Sequence, residues 1–211
     1  MPADVRIATS EFVASASDVT GAPRVELPEI CFVGRSNVGK SSALNALLGR
    51  RKLARVSRTP GRTRLLNFFT ATFLADGARV PVSLCDLPGY GYAKASKAEL
   101  ARWRPMIERY LERRERLCGV VMLVDARHEP SPLDRDMVGW ISGRRPLLVV
   151  ATKSDKLSKH RLFGALRAIE RGLGLPAESA LALSSETGAG FDELRERLLE
   201  ISRAPGDPTG T

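Results

Sequence analysis

The sequence predicts an α/β fold of three layers, with a mostly parallel six- to seven-stranded sheet, one antiparallel edge hairpin and helices on both faces. Three observations carry this reading. From Glu29 onward, short apolar runs alternate with longer stretches whose apolar residues recur at helical spacing. The alternation breaks once, at Asp76-Gly77, a tight-turn pair between two apolar runs that leaves no room for a helical crossover. A length of 211 residues with 43% hydrophobic content suits one core-bearing unit.

In chain order, residues 1–28 read as an N-terminal extension with room for one edge strand, because their composition is mixed and they end in a stretch bounded by Pro23 and Pro28. Strands are expected at 30–33, 65–73, 80–85, 120–124, 147–151 and 180–183, where apolar runs are short. Helices are expected at 40–48, 98–116, 133–142, 159–173 and 191–201, where the apolar period is longer. The main domain then spans 29–203. Residues 204–211, rich in Pro and Gly, read as a flexible tail.

Composition narrows the function classes. The N-terminus has no basic region leading into an apolar run, and no stretch approaches the roughly 18 apolar residues of a membrane span. A cytoplasmic protein with no membrane partner is expected. Cys31, Cys85 and Cys118 each sit in or beside an apolar run without a Cys-x-x-Cys pair, so they read as buried thiols in a reducing compartment. A formal net charge of +9 is high for an enzyme of small substrates and points to a polyanionic partner, nucleic acid first.

The chemistry is carried by Gly34-Arg35-Ser36-Asn37-Val38-Gly39-Lys40-Ser41, which follows an apolar run and opens a helical one. That context is what a P-loop requires. Glycines let backbone N–H groups curl round phosphate oxygens, and the helix directs its positive end at the same anion. Lys40 is placed to reach the β and γ phosphates, and the Ser41 hydroxyl to bind magnesium. Downstream, Asp86-Leu87-Pro88-Gly89 ends the hairpin's second strand, where a carboxylate can hold magnesium through water and a glycine N–H can face a γ phosphate.

Thr152-Lys153-Ser154-Asp155 directly follows the apolar run 147–151. The Asp155 carboxylate can accept from both N1–H and the 2-amino group of guanine, whereas adenine offers neither donor. Losing two charge-assisted bonds makes adenine about a hundredfold worse or more. Lys153 would lay its stem along the base, and Leu183-Ser184-Ser185 could offer a backbone N–H to guanine O6. All four elements stand at C-terminal ends of expected strands, where ligands sit in open α/β sheets. This is the pattern of a P-loop G domain binding GTP and GDP.

With these motifs in hand, the chain resembles the EngB family of ribosome-biogenesis GTP-binding proteins, which are Era-like and related to the translation factors. The resemblance runs from about Glu11 to Ile201 and is sharpest at Phe32-Val33 with the P-loop and Ser42, at Thr59-Pro60-Gly61-Arg62-Thr63, at Asp86 to Gly89 with Tyr90-Gly91-Tyr92, and at Thr152 to Asp155. It implies that Thr63 is the switch residue joining magnesium in the GTP state, with Gly61, Arg62, Arg64 and Leu65 beside the nucleotide. By residue pattern alone, Thr59 is a rival for that role. Thr152 stands where G proteins commonly have Asn, which would weaken affinity without altering the selection made by Asp155.

The resemblance also implies a monomeric switch acting on the large ribosomal subunit and its rRNA, needed for division and septation. Tyr90 stands where Ras-like proteins place the water-orienting Gln, so slow intrinsic hydrolysis is expected. In related G proteins a P-loop Asn at the place of Asn37 helps bind potassium. Stimulation by that ion is therefore an expectation here, with Lys40, Thr63 and Asn37 as the catalytic set.

The segment holding Arg50, Arg51, Lys52, Arg55, Arg58, Arg62 and Arg64 has no balancing acid and reads as an RNA-contacting loop overlapping the first switch. The stretch 102–116 interleaves Arg with Glu and reads as a solvated helix face, and Trp103 and Trp140 as packing residues. Two other readings stay open on the residues alone. One is a P-loop ATPase or kinase; the other is a nucleotide-stabilised RNA-binding module with negligible turnover.

Overall fold

The computed structural model describes residues 5–24, 26–50, 65–91 and 97–203, with the side chains of 97–102 outside that description. Seven strands form one sheet, β1 (Arg6–Ala16), β2 (Glu29–Gly34), β3 (Leu66–Ala75), β4 (Ala78–Asp86), β5 (Leu117–Asp125), β6 (Leu147–Thr152) and β7 (Leu181–Ala182), in the order β1-β3-β4-β2-β5-β6-β7. Five helices accompany them: α1 (Lys40–Leu47), α2 (Lys97–Arg113), α3 (Pro132–Ile141), α4 (Lys159–Leu173) and α5 (Phe191–Arg203).

The expected hairpin is β3 and β4, paired from Asn67 with Asp86 to Ala75 with Ala78. Its turn residues Asp76 and Gly77 both take left-handed backbone, at φ 50 and φ 77, matching the primed turns that suit strand twist. The antiparallel edge is one strand wider than the hairpin, because β1 pairs antiparallel with β3. β2, β4, β5, β6 and β7 are mutually parallel.

Strand alternation builds two cores. On β2, Ile30 and Phe32 face a core with Leu44 and Leu47 of α1 and Leu194 and Leu198 of α5. Cys31 and Val33 face the other, with Ile107 of α2, Met137 of α3 and Ile169 and Leu173 of α4. Every residue of β2 is buried, as a central parallel strand requires. Two thiols, Cys31 and Cys85, are buried as expected, whereas Cys118 is half-buried and donates through Sγ to Glu29 O at 3.1 Å.

One expectation is corrected at the end of α2. Arg114 is not part of a solvated face. Its guanidinium donates to the buried Glu29 carboxylate, which also accepts from Tyr110 Oη at 2.6 Å and Ser83 Oγ at 3.2 Å. A carboxylate at the mouth of a buried strand must be paired, and the tertiary fold supplies partners that lie far away in sequence.

Candidate functional site

The central strand β2 delivers the P-loop, and its neighbours β4 and β5 deliver the flanking loops, at the switch point where the chain passes from one side of β2 to the other. The loop is wound tightly. Val38 N–H donates to Arg35 O at 3.1 Å, Asn37 takes a left-handed backbone at φ 65, and Gly39 caps α1 at φ 101, a conformation that favours glycine. Lys40 and Ser41 open α1, and the Lys40 ammonium pairs with the Asp86 carboxylate with both side chains largely buried.

The segment after β4 is laced to the P-loop. Ser36 N–H donates to Tyr90 O at 2.8 Å and Tyr90 N–H to Gly34 O at 3.2 Å. Gly89 lies so close that a Cβ there would sit 3.2 Å from the Ser36 backbone. Ser36 Oγ is buried with no partner among the described residues. Pro88 O accepts from Trp103 Nε1 at 3.0 Å, and the buried Tyr90 hydroxyl donates to Asp134 Oδ1 at 2.7 Å. Burial and the Asp134 charge push the Tyr90 phenol far above its ordinary range.

Thr152 to Asp155 follow β6 and meet the P-loop from the other side. Thr152 Oγ1 lies 2.6 Å from Val38 O and 3.0 Å from Val124 O, and the residue is only 3% exposed. Lys153 takes a left-handed backbone at φ 58 and extends its ammonium to Asn37 O and Asp125 Oδ2, both at 2.8 Å. Burial alone would raise the Asp125 carboxyl, but hydrogen bonds from Arg127 and Lys153 outweigh it and hold the group well below the usual carboxylate range.

Asp155, in a single 3-10 turn, accepts from Ser184 Oγ at 2.7 Å and pairs with Lys156 at 2.8 Å. Hydrogen bonds from Lys156 and Ser184 lower its pKa from the ordinary value, so it is a carboxylate at neutral pH. Ser184 Oγ in turn accepts from Glu186 N and Thr187 N, and Leu183 O from Ser154 N, which locks the two loops together. Between these joined loops and the start of α1 opens a cavity of about 570 Å³ lined by Gly39, Ser42, Thr152, Lys153, Asp155 and Ser185 among others.

The structure thus brings together residues 34–42, 86–89, 152–155 and 183–185 at one end of the sheet. Leu65 immediately precedes β3. Thr59, Gly61, Arg62, Thr63 and Arg64, with Arg51, Lys52, Arg55 and Arg58 of the basic run, lie outside the described residues, as does Tyr92. No group of three or more His, Cys, Asp or Glu suited to a metal occurs among the described residues.

The family model of 50S ribosome-binding GTPases matches residues 29–153. Over 208 residues the chain is 50% identical to the probable GTP-binding protein EngB of Anaeromyxobacter sp. (strain Fw109-5), covering 97% of this chain and 96% of that one. The chain belongs to the EngB family of GTP-binding proteins. The EngB protein of Myxococcus xanthus (strain DK1622) is 48% identical across 93% of this chain and 96% of its own length.

Among solved structures, a probable GTP-binding protein engB shares the fold at a TM-score of 0.65 and 22% identity, over 83% of this chain and 98% of that one. Aquifex aeolicus Era bound to GDP and aluminium fluoride superposes at a TM-score of 0.66 and 25% identity, over 84% of this chain and 57% of that one.

Motif reading of this EngB-type GTPase domain missed Asp125. Its signal was its place at the C-terminal end of β5, level with Thr152. Asn45 and Glu186, which also line the cavity, carry no motif by which sequence could single them out, and Arg50, read from sequence as the start of the RNA-contacting run, lines the same cavity.

Proposed function

We propose that this chain binds GTP through the described cavity, hydrolyses it to GDP, and acts as a cytoplasmic switch in assembly of the large ribosomal subunit, with consequences for division and septation. The observation that carries the guanine reading is the Lys153 to Asn37 bond, which joins the base-reading loop to the phosphate loop while Asp155 faces the cavity between them. In this reading 29–203 is the working G domain and the chain acts as a monomer. The Thr152 hydroxyl on Val38 O ties this loop to the phosphate loop.

Residues 34–42 would cradle the phosphates, 61–65 and 86–89 would report the γ phosphate, and 152–155 with 183–185 would hold the base. The donors near the phosphate end are oxygens, the Ser41 hydroxyl and the Asp86 carboxylate, which fit a hard cation such as magnesium. Ser41 and Thr63 would bind it directly and Asp86 through water. Bound there, magnesium would neutralise developing phosphate charge. The ammonium of Lys40, now paired with Asp86, is placed to turn to the β and γ oxygens.

Hydrolysis breaks the bond from the γ phosphorus to its bridging oxygen as water attacks from the opposite side, yielding GDP and phosphate. Tyr90 is buried and committed to Asp134, so it does not orient that water. Slow intrinsic turnover follows, with Asn37 as the residue through which potassium would supply charge. Phosphate release should rise in potassium over sodium at fixed ionic strength and rise again with large ribosomal subunits. Equal rates under all conditions would remove the stimulated switch. Era, a structural neighbour solved with MgGDPNP and 16S ribosomal RNA nucleotides, favours an RNA-bearing partner.

A further inference from the structure

Helix α4 buries Leu162, Leu166, Ile169 and Leu173 against the sheet or beside its core. The opposite side presents His160, Phe163, Gly164, Arg167 and Arg171, one stripe at helical spacing, with Lys159 and Arg161 exposed at its start. Phe163 is 63% exposed, an unusual setting for a ring that no core uses. The Arg167 guanidinium lies over it at 5.2 Å from the centroid. Arg167 is fixed there by bonds to Glu178 at 2.8 Å and Glu170 at 3.4 Å.

The surroundings favour a flat, anionic occupant. A Cβ added at Gly164 would meet nothing within 4 Å among the described residues, so the helix surface beside the ring is open there. The single carboxylate on α4, Glu170, is buried and turned to Ala180 N at 3.1 Å. On the far side of the sheet, α5 is different, with Asp192, Glu193 and Glu200 exposed and Glu196 half-buried among its arginines.

We propose that the Phe163 stripe of α4 is an RNA-binding surface, on which a base of a single-stranded segment stacks against Phe163 while Lys159, Arg161 and Arg171 neutralise neighbouring phosphates. Base stacking on an exposed aromatic is sequence-tolerant, and cations beside the ring track the backbone. The proposal rests on the reading that the partner carries RNA, and it gives that partner a contact separate from the basic run at 50–64. α4 begins four residues after Asp155, so RNA here would lie beside the base-reading loop.

The test uses the full chain with GDP bound and a fluorescein-labelled unstructured RNA of about 12 nucleotides, followed by anisotropy. Phe163→Ala is expected to weaken binding about tenfold. Arg171→Glu and Gly164→Asp should weaken it too, the former with a shallower salt dependence, by roughly 0.7 in log–log slope for each phosphate that is no longer neutralised. Arg197→Glu on α5 should bind as the unmodified chain does. Binding of a fluorescent GDP analogue should be the same in all four, which separates this surface from the nucleotide site. RNA affinity unchanged in both Phe163→Ala and Arg171→Glu overturns the surface while leaving an RNA partner intact. Loss of ribosomal co-sedimentation in Phe163→Ala with RNA affinity unchanged overturns it in favour of a protein partner. Absence of RNA binding by the unmodified chain overturns the surface and its RNA premise together, with the GDP-analogue signal still reporting on the nucleotide site.

Discussion

A single hydroxyl joins the base-reading loop, the phosphate loop and the end of β5. Replacing Thr152 by Val keeps the shape and removes the one proton that the Val38 and Val124 carbonyls share, leaving one buried hydrogen bond unmade. The expected cost is about 1–3 kcal/mol. A lower urea midpoint at unchanged m, together with weaker GDP binding, would show it; an unaltered midpoint would count against the tie. Asp125 offers a pH signature. Because its folded pKa is depressed, its contribution is fully present above the ordinary carboxylate value and is lost as pH falls through the folded one. Asp125→Asn should therefore be less stable than the parent at pH 7, with the gap closing as the pH is taken below about 4 in thermal melts. A gap that widens in acid would contradict this sign.

The segment from Asp86 to Tyr90 is held at the level of elements, between the P-loop, α2 and α3. Trp103 grips Pro88 O, and Tyr90 reaches Asp134, which also completes the capping box of α3 with Ser131. Tyr90→Phe removes one buried hydrogen bond to a carboxylate and leaves the cap, so a loss of about 1.5–3 kcal/mol in unfolding free energy is expected, with GDP affinity little changed. A drop in affinity matching that of a P-loop variant would show that Tyr90 touches the nucleotide after all. Strands and helices from β2 to α5 were legible because burial imposes periods of two and 3.6 on the chain. β1 was foreseen only as room for an edge strand, since its residues are mostly exposed with no clean alternation and its partner β3 lies fifty or more residues on. The Arg114 and Glu29 pair was hidden for the same reason, because a local alternation of Arg and Glu says nothing of a carboxylate that is distant in sequence.

At the scale of the whole molecule, two cores fix seven strands so that four separate loops converge at one end, and the proposed guanine site is a product of that convergence. The motifs at Gly34, Asp86, Thr152 and Ser184 were readable because phosphate and base chemistry restrict residue types at short spacing. Their mutual ties, Lys153 to Asn37 and Ser184 to Asp155, were not, since each joins residues brought together only by the sheet. A net charge of +9 belongs to this scale as well, and it predicts that the proposed association with ribosomal particles weakens steeply as salt rises. The central claim, a cavity that selects guanine through Asp155, is tested most directly by competition against a bound fluorescent GDP analogue. GTP is expected to displace it about a hundredfold or more better than ATP, and Asp155→Asn to abolish this preference and accept xanthosine triphosphate, whose 2-oxo group can take a bond from the new amide. Equal displacement by ATP and GTP in the unmodified chain would contradict it.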